Sequence, residues 1–243
     1  MESLYPVLSG ALAQEKNLEI VTNNLANINS NGFKKDFAIF TALDPLGQDQ
    51  PGSDGGKEPL PAYGYLDGVG SDFTQGPMRQ TGSPLDVAVD GENFFVVQTP
   101  GGLKYTKNGS FTLNGDGQII NQSGFPVMGS SGAITLPAGK INIDYEGRVS
   151  VDGVEIDTLQ VVQFADVKNL KKVEGTLFDS GGQTAAPSID KRVQQGFIEG
   201  SNVNPVEEMV AMIQVMRLYE ASQKVIQSTD EMATKASNDL GKV

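Results

Sequence analysis

Carboxylates and lysines carry whatever catalysis this sequence could support. It contains no His, no Cys and no Trp. The commonest general base, the thiol nucleophile, disulfides and the commonest transition-metal ligands are therefore missing. Asp86, Asp90 and Glu92 lie close together, and paired carboxylates can cleave a glycosidic bond without His. The competing reading, which the local sequence favours, makes Asp90-Gly91 a hairpin turn and Asp86 a strand-end residue. Asp144, Glu146 and Asp152 offer oxygen ligands, but their spacing is not that of a calcium-binding loop, and they read as turn residues. The glycine-rich stretches match neither a phosphate loop nor a dinucleotide fingerprint. No catalytic, cofactor-binding or metal-binding residues are assigned, and the expectation is a non-enzyme without a cofactor.

The elements that would position these residues fall into three zones. The chain has 243 residues, enough for one or two domains with a real core. Its net charge of -12 argues against a nucleic-acid partner, which attracts basic patches. No stretch approaches the roughly 20 apolar residues needed to span a bilayer, so direct membrane insertion is not expected. The N-terminus lacks the basic, apolar and small-residue segments of a cleaved secretory signal.

The first zone is a helix from Leu4 to about Ile28. Leu4, Val7, Ala11, Leu18, Val21, Leu25 and Ile28 recur at steps of three and four, with Gln14 the polar member of the stripe. That is an a/d seam, which a lone helix cannot bury by itself. Asn31-Gly32 supplies the stop, and Lys34 and Lys35 follow where positive charge suits the end of the helix dipole. Asn23 and Asn27 lie one turn apart opposite the seam, as solvated surface or as polar contacts between subunits.

The second zone opens with a Pro/Gly-rich connection from Asp44 to Asp72, read as an irregular arm. Beyond it, short strands alternate with turns. A hairpin is expected from Asp86–Val89, the turn Asp90-Gly91 and Phe94–Val97. A second follows from Phe111–Leu113 and Gln118–Ile120 about Asn114–Gly117. Ile141–Ile143, Arg148–Val151 and Val154–Ile156 continue the series, with Leu159–Phe164 after them. Such spacing suggests an all-β sandwich or barrel.

The third zone is a second helix. Asn204 suits the N-cap, Pro205 the first turn, and Glu207 the third helical position. On a helical wheel Val206, Met209, Val210, Ile213 and Met216 share one face, and Ala211, Val215 and Leu218 the opposite one, with Val225 nearby. A helix apolar on both faces is covered on both sides. One side is expected to meet the N-terminal helix and the other to meet neighbouring subunits. The fold expected is thus α+β, with the two terminal helices paired as a coiled coil around a central all-β domain. Its parts are a helical polymerisation domain (1–35 with 200–243), an irregular arm (36–74) and a β domain (75–199).

Five segments carry a resemblance. Thr22–Lys34, reading TNNLANINSNGFK, resembles the N-terminal signature of the flagellar basal-body rod and hook protein family. Gln75–Ala88, reading QGPMRQTGSPLDVA, is similar to its central motif. Phe94–Val97 and Tyr105–Phe111 are also family-like, and Gly196–Met209 resembles the lead-in to the family's C-terminal helix. The motifs occur in the family's order over most of the chain. Thr41–Asp72 and roughly 129–183 match loosely.

The resemblance implies a structural subunit that stacks helically and carries torque from motor to hook. It implies export by the flagellar type III apparatus without signal cleavage, a place in the periplasmic rod of the basal body, and other copies and other rod proteins as partners. The short length and the wording of Asn202–Met209 favour a proximal rod protein over a distal rod or short hook-type protein. The assembly interface is then expected at Leu4, Val7, Ala11, Leu18, Val21, Asn23, Asn24, Leu25, Asn27, Ile28, Val206, Met209, Val210, Ile213, Val215, Met216 and Leu218.

Overall fold

The computed structural model describes residues 4–43, 63–188 and 191–240. Helix α1 spans Leu4–Ala26 and helix α2 spans Pro205–Leu240, with a mostly β region between them. Contacts group the residues into two units. One comprises 1–25, 36–70 and 205–243, and the other 26–35 and 71–204.

The first unit holds both helices and a two-stranded sheet, β1 (Asp36–Leu43) with β2 (Tyr63–Ser71). β2 departs from the irregular arm expected over 44–72. Tyr63, Tyr65 and Val69 punctuate the glycines and are good strand formers. The rest of that expected arm, 44–62, lies outside the described residues. α1 ends close to where its apolar repeat stops. Asn27, Asn29, Ser30 and Asn31 are weak helix formers that bond locally. Ser30 donates to Asn27 Oδ1 at 3.0 Å, and its N–H to the Asn27 carbonyl at 3.1 Å. Asn27 and Ile28 thus lie beyond the helix and not on its faces.

The second unit opens with β3 (Met78–Gln80) and β4 (Val87–Val89) and is built on β5 (Asn93–Thr99). In β5 the residues Phe94, Phe95, Val96 and Val97 are all buried, as expected of a strand covered on both faces. Side-chain alternation sends Phe95 and Val97 to one core, with Val87, Val89, Phe111, Ile119, Val149 and Leu159. Phe94 and Val96 go to the other, with Phe73, Tyr105, Val162, Phe164 and Phe178. The rings of Phe94 and Phe73 meet edge to face at 5.7 Å, a favoured aromatic geometry.

β5 lies inside a six-stranded sheet. Its neighbours are β6 (Gly102–Thr106) and Val161–Gln163. Beyond β6 come Leu177–Asp179 and Lys171–Glu174, and beyond Val161–Gln163 comes Ala186–Pro187. A three-stranded meander of Ile141–Ile143, Arg148–Val151 and Val154–Thr158 lies apart from it, with two-stranded ladders elsewhere. Among the described residues the strand orders are open, and none closes into a barrel.

One expected hairpin is corrected. Val87–Val89 does not pair with Phe94–Val97. Val89 pairs with Val193 and Ala88 with Gln194, while Phe95 pairs with Thr106 and Val161. Asp90-Gly91 does turn the chain, with Gly91 at φ 67°. Both flanking strands are fully buried, however, and each needs neighbours of its own. The hairpin at Thr112↔Ile120 and the tight turn joining Val151↔Val154 form as expected.

Candidate assembly surface and buried motif junction

In the first unit α2 carries two faces. Glu208 and Val215 are buried, and Met212, Tyr219, Ser222 and Ile226 are half-buried. Their steps of four and three make a regular seam. Across the helix Val206, Met209, Val210, Ile213 and Met216 are exposed, between 45% and 62%. Exposed apolar side chains grouped in this way mark interaction surfaces. Leu218 and Val225 are exposed too, against the expectation that placed them with Val215. Advancing about 100° per residue, they flank the covered seam instead of lying in it. β1 adds exposed Phe37, Ile39 and Phe40.

On α1 the covered stripe is displaced by about one position from the expected seam. Ala11, Ala13, Ile20, Val21 and Asn24 are buried, Leu18 and Leu25 are half-buried, and Asn23 is exposed. The side chains of Leu4 and Val7 lie outside the described residues. Asn24, expected at the assembly interface, is instead committed within the chain. Its Oδ1 accepts from Asp36 N–H at 2.9 Å, and its Nδ2 donates to the Asp36 carbonyl at 2.8 Å and to Glu208 Oε2 at 3.1 Å. One amide thereby satisfies the start of β1 and a carboxylate in the first turn of α2, where a negative charge suits the helix dipole.

The second unit gathers residues of four of the motif segments, Lys34, Gly76, Lys107 and Glu199, at a buried charge cluster that sequence reading missed. Lys34 Nζ donates to Glu199 Oε1 at 2.6 Å and to the Thr74 carbonyl at 2.7 Å. Gly76 N–H donates to the same Oε1 at 2.9 Å. Lys107 Nζ lies 3.8 Å from Glu199 Oε2 and donates to the Gly91 carbonyl. Burial holds the Lys107 ammonium down to about 8, and attraction to Glu199 offsets only part of that. Lys34 is therefore not a surface complement to the helix end, as its position suggested. A local signal was available only at Glu199, which sits between Ile198 and Gly200; Lys34 follows Phe33 but precedes Lys35, and Lys107 lies between Thr106 and Asn108.

Asn202 completes the junction. Its Oδ1 accepts from Lys35 N–H at 2.8 Å, and its Nδ2 donates to the carbonyls of Asp72 at 2.8 Å and Thr74 at 3.1 Å. The backbone fits closely around it. Gly32, at φ 67°, would place a Cβ 2.3 Å from Asn108 N. Its N–H donates to the Glu199 carbonyl at 2.7 Å.

Among the carboxylates weighed for catalysis, Asp90 is engaged through its side chain and Asp86 through its backbone. Asp90 accepts from Gln194 Nε2 at 3.2 Å, and the Asp86 carbonyl accepts from Gly196 N–H at 2.7 Å. Glu92 is exposed. Asp144 and Asp152 act in turns. Asp144 Oδ1 accepts from the backbone of Glu146 and Arg148, and Asp152 Oδ1 from that of Lys140. Among the described residues no helix is long and apolar enough to cross a membrane.

Comparison with known proteins covers the same segments. A family model for flagella basal body rod proteins matches 4–34. A model for the D1 domain of flagellar hook proteins FlgE/F/G matches 88–151, and one for the C-terminal region of FlgEFG rod proteins matches 194–239. The flagellar basal-body rod protein FlgF of Caulobacter vibrioides is 35% identical over 99% of this chain and 98% of its own length. FlgG of Buchnera aphidicola is 33% identical over 97% and 98%. FlgF of Rhizobium meliloti is 30% identical over 98% and 97%. With matches at both ends and in the middle, and full-length relatives at this level, the chain belongs to the flagellar basal-body rod protein family, with a likeness to FlgF.

Proposed function

We propose that this chain is a structural subunit of the flagellar basal-body rod, of the proximal type, that assembles helically with copies of itself and with other rod proteins to carry torque. The two faces of α2 carry this reading. The covered seam from Glu208 to Ile226 suits pairing with the stripe of α1 that includes Ala13, Ile20 and Asn24, as a coiled coil. The apolar face of Val206, Met209, Val210, Ile213 and Met216 then remains for neighbouring subunits. Burying such side chains on assembly is worth about 25 cal/mol per Å2 of apolar surface before ordering costs. Family membership supports a place in the basal body and export through the flagellar type III apparatus. It also supports a non-enzymatic role.

The test replaces the gene with Val210→Glu/Ile213→Glu. The purified variant should unfold at the same urea concentration as the parent, because both side chains are exposed. Cells carrying it should build truncated rods without hooks and fail to swim. Normal basal bodies and swimming would refute the assignment of this face to assembly. A deletion strain with intact rods would refute the structural role itself.

A further inference from the structure

We propose that a cleft in the β unit, between the loop after α1 and the loop at 121–123, binds a neutral, oxygen-rich oligosaccharide. The cleft has a volume of about 370 Å3. Its lining is almost entirely amide and hydroxyl, with the Glu174 carboxylate, and includes no Lys, no Arg and no aromatic ring. That chemistry disfavours an anionic ligand, which would meet a carboxylate and no cation. It equally disfavours an apolar ligand, which needs an apolar wall.

Two asparagines make this a built site. Asn121 is 8% exposed, and its Oδ1 is taken by Ser123 N–H at 3.0 Å and Phe125 N–H at 2.8 Å. Asn108 Oδ1 is taken by Ser110 N–H at 3.0 Å. With the oxygens held by backbone, each amide is fixed in orientation, and neither Nδ2 has an acceptor among the described residues. Both amide donors open onto solvent in the cleft, where each is held in a fixed direction for an acceptor on a ligand. Both residues line the cleft. Two fixed donors suit the hydroxyl, ring and acetamido oxygens of a glycan, and Glu174 accepts from sugar hydroxyls. An extended peptide also offers carbonyl oxygens. The preset orientation of both donors and the surplus of hydroxyl-compatible groups favour the sugar.

The full-length chain is titrated with tetra-N-acetylchitotetraose and with a neutral, acetylated tetra-alanine peptide, following backbone amide shifts. Asn108→Asp and Asn121→Asp are the variants. Asp keeps the oxygen that accepts from the backbone, so the turns survive, and it replaces the donor with an acceptor. The proposal expects saturable binding of the sugar, weak with Kd about 1 mM, with shifts at 106–108, 121–123 and 174–177, and affinity at least about tenfold lower in each variant. Absence of sugar binding, unchanged affinity in both variants, or shifts produced by the peptide and not by the sugar would each overturn it. Unchanged thermal midpoints in the variants would separate loss of binding from loss of fold.

Discussion

Lys34 Nζ and Glu199 Oε1 stand 2.6 Å apart, and neither side chain reaches solvent. They come from opposite ends of the sequence, and Lys107 approaches the other oxygen of the same carboxylate at 3.8 Å. Removing one member of a buried pair strands the other without water. Glu199→Ala strands two ammonium groups and should cost the most, about 3–5 kcal/mol. Lys34→Met leaves Glu199 with Lys107 still beside it and should cost less. Urea unfolding of the full chain gives the order. Equal or reversed losses would mean that Lys107 does not share the carboxylate.

Lys107 makes stability depend on pH in an unusual direction. Its ammonium titrates at about 8 when folded, against about 10.4 when unfolded. Below pH 8 both states are protonated, and the cost of burying the charge is fully present. Above that the unfolded chain holds more protons, so stability rises with pH. Tyr105 acts oppositely at higher pH, because burial pushes its phenol up. The rise should therefore show between about pH 7.5 and 9.5. Thermal midpoints measured across that window should climb for the parent and stay flatter for Lys107→Met. Parallel curves would contradict the assignment.

The terminal elements were legible because their signals are local. Asn204-Pro205 marked the start of α2, and the two-sided wheel of Val206–Met216 marked its exposed face. Turn chemistry at Asn114–Gly117 and Asp152-Gly153 located two strand pairings. What escaped was set by distant partners. Whether Val89 pairs across Asp90-Gly91 or with Val193 depends on which strand offers a free edge, and short apolar runs do not encode that. Asn24 reads as an assembly contact because its partners, Asp36 and Glu208, become neighbours only after folding. Lys34 read as a helix-end charge for the same reason.

Asn24 offers a direct measure of how the first unit is held. Its amide takes both backbone groups of Asp36, and Glu208 is the third partner. Asn24→Ala removes all three bonds at once, two from the Asp36 peptide groups and one from the Glu208 carboxylate, a cost of about 2–3 kcal/mol. The Asp36 amide should then exchange with solvent markedly faster. Asn24→Asp should be no better, since it brings a second carboxylate to Glu208. Unchanged protection of Asp36 in Asn24→Ala would show that the bond contributes nothing to the native state.

Two glycines separate backbone necessity from simple turn composition. Gly32 combines φ 67° with a backbone contact at 2.3 Å from any added Cβ, whereas Gly115 has open space and no left-handed φ. Gly32→Ala must move Asn108 or the turn after α1, and that turn also carries the Gly32 N–H bond to Glu199. The loss should exceed about 2 kcal/mol, combining left-handed strain with the displaced contact. Gly115→Ala should lie within about 0.5 kcal/mol of the parent. Chemical denaturation of both variants reads the difference. If the two were equally stable, the close approach of Gly32 to Asn108 would not be a feature of the folded chain.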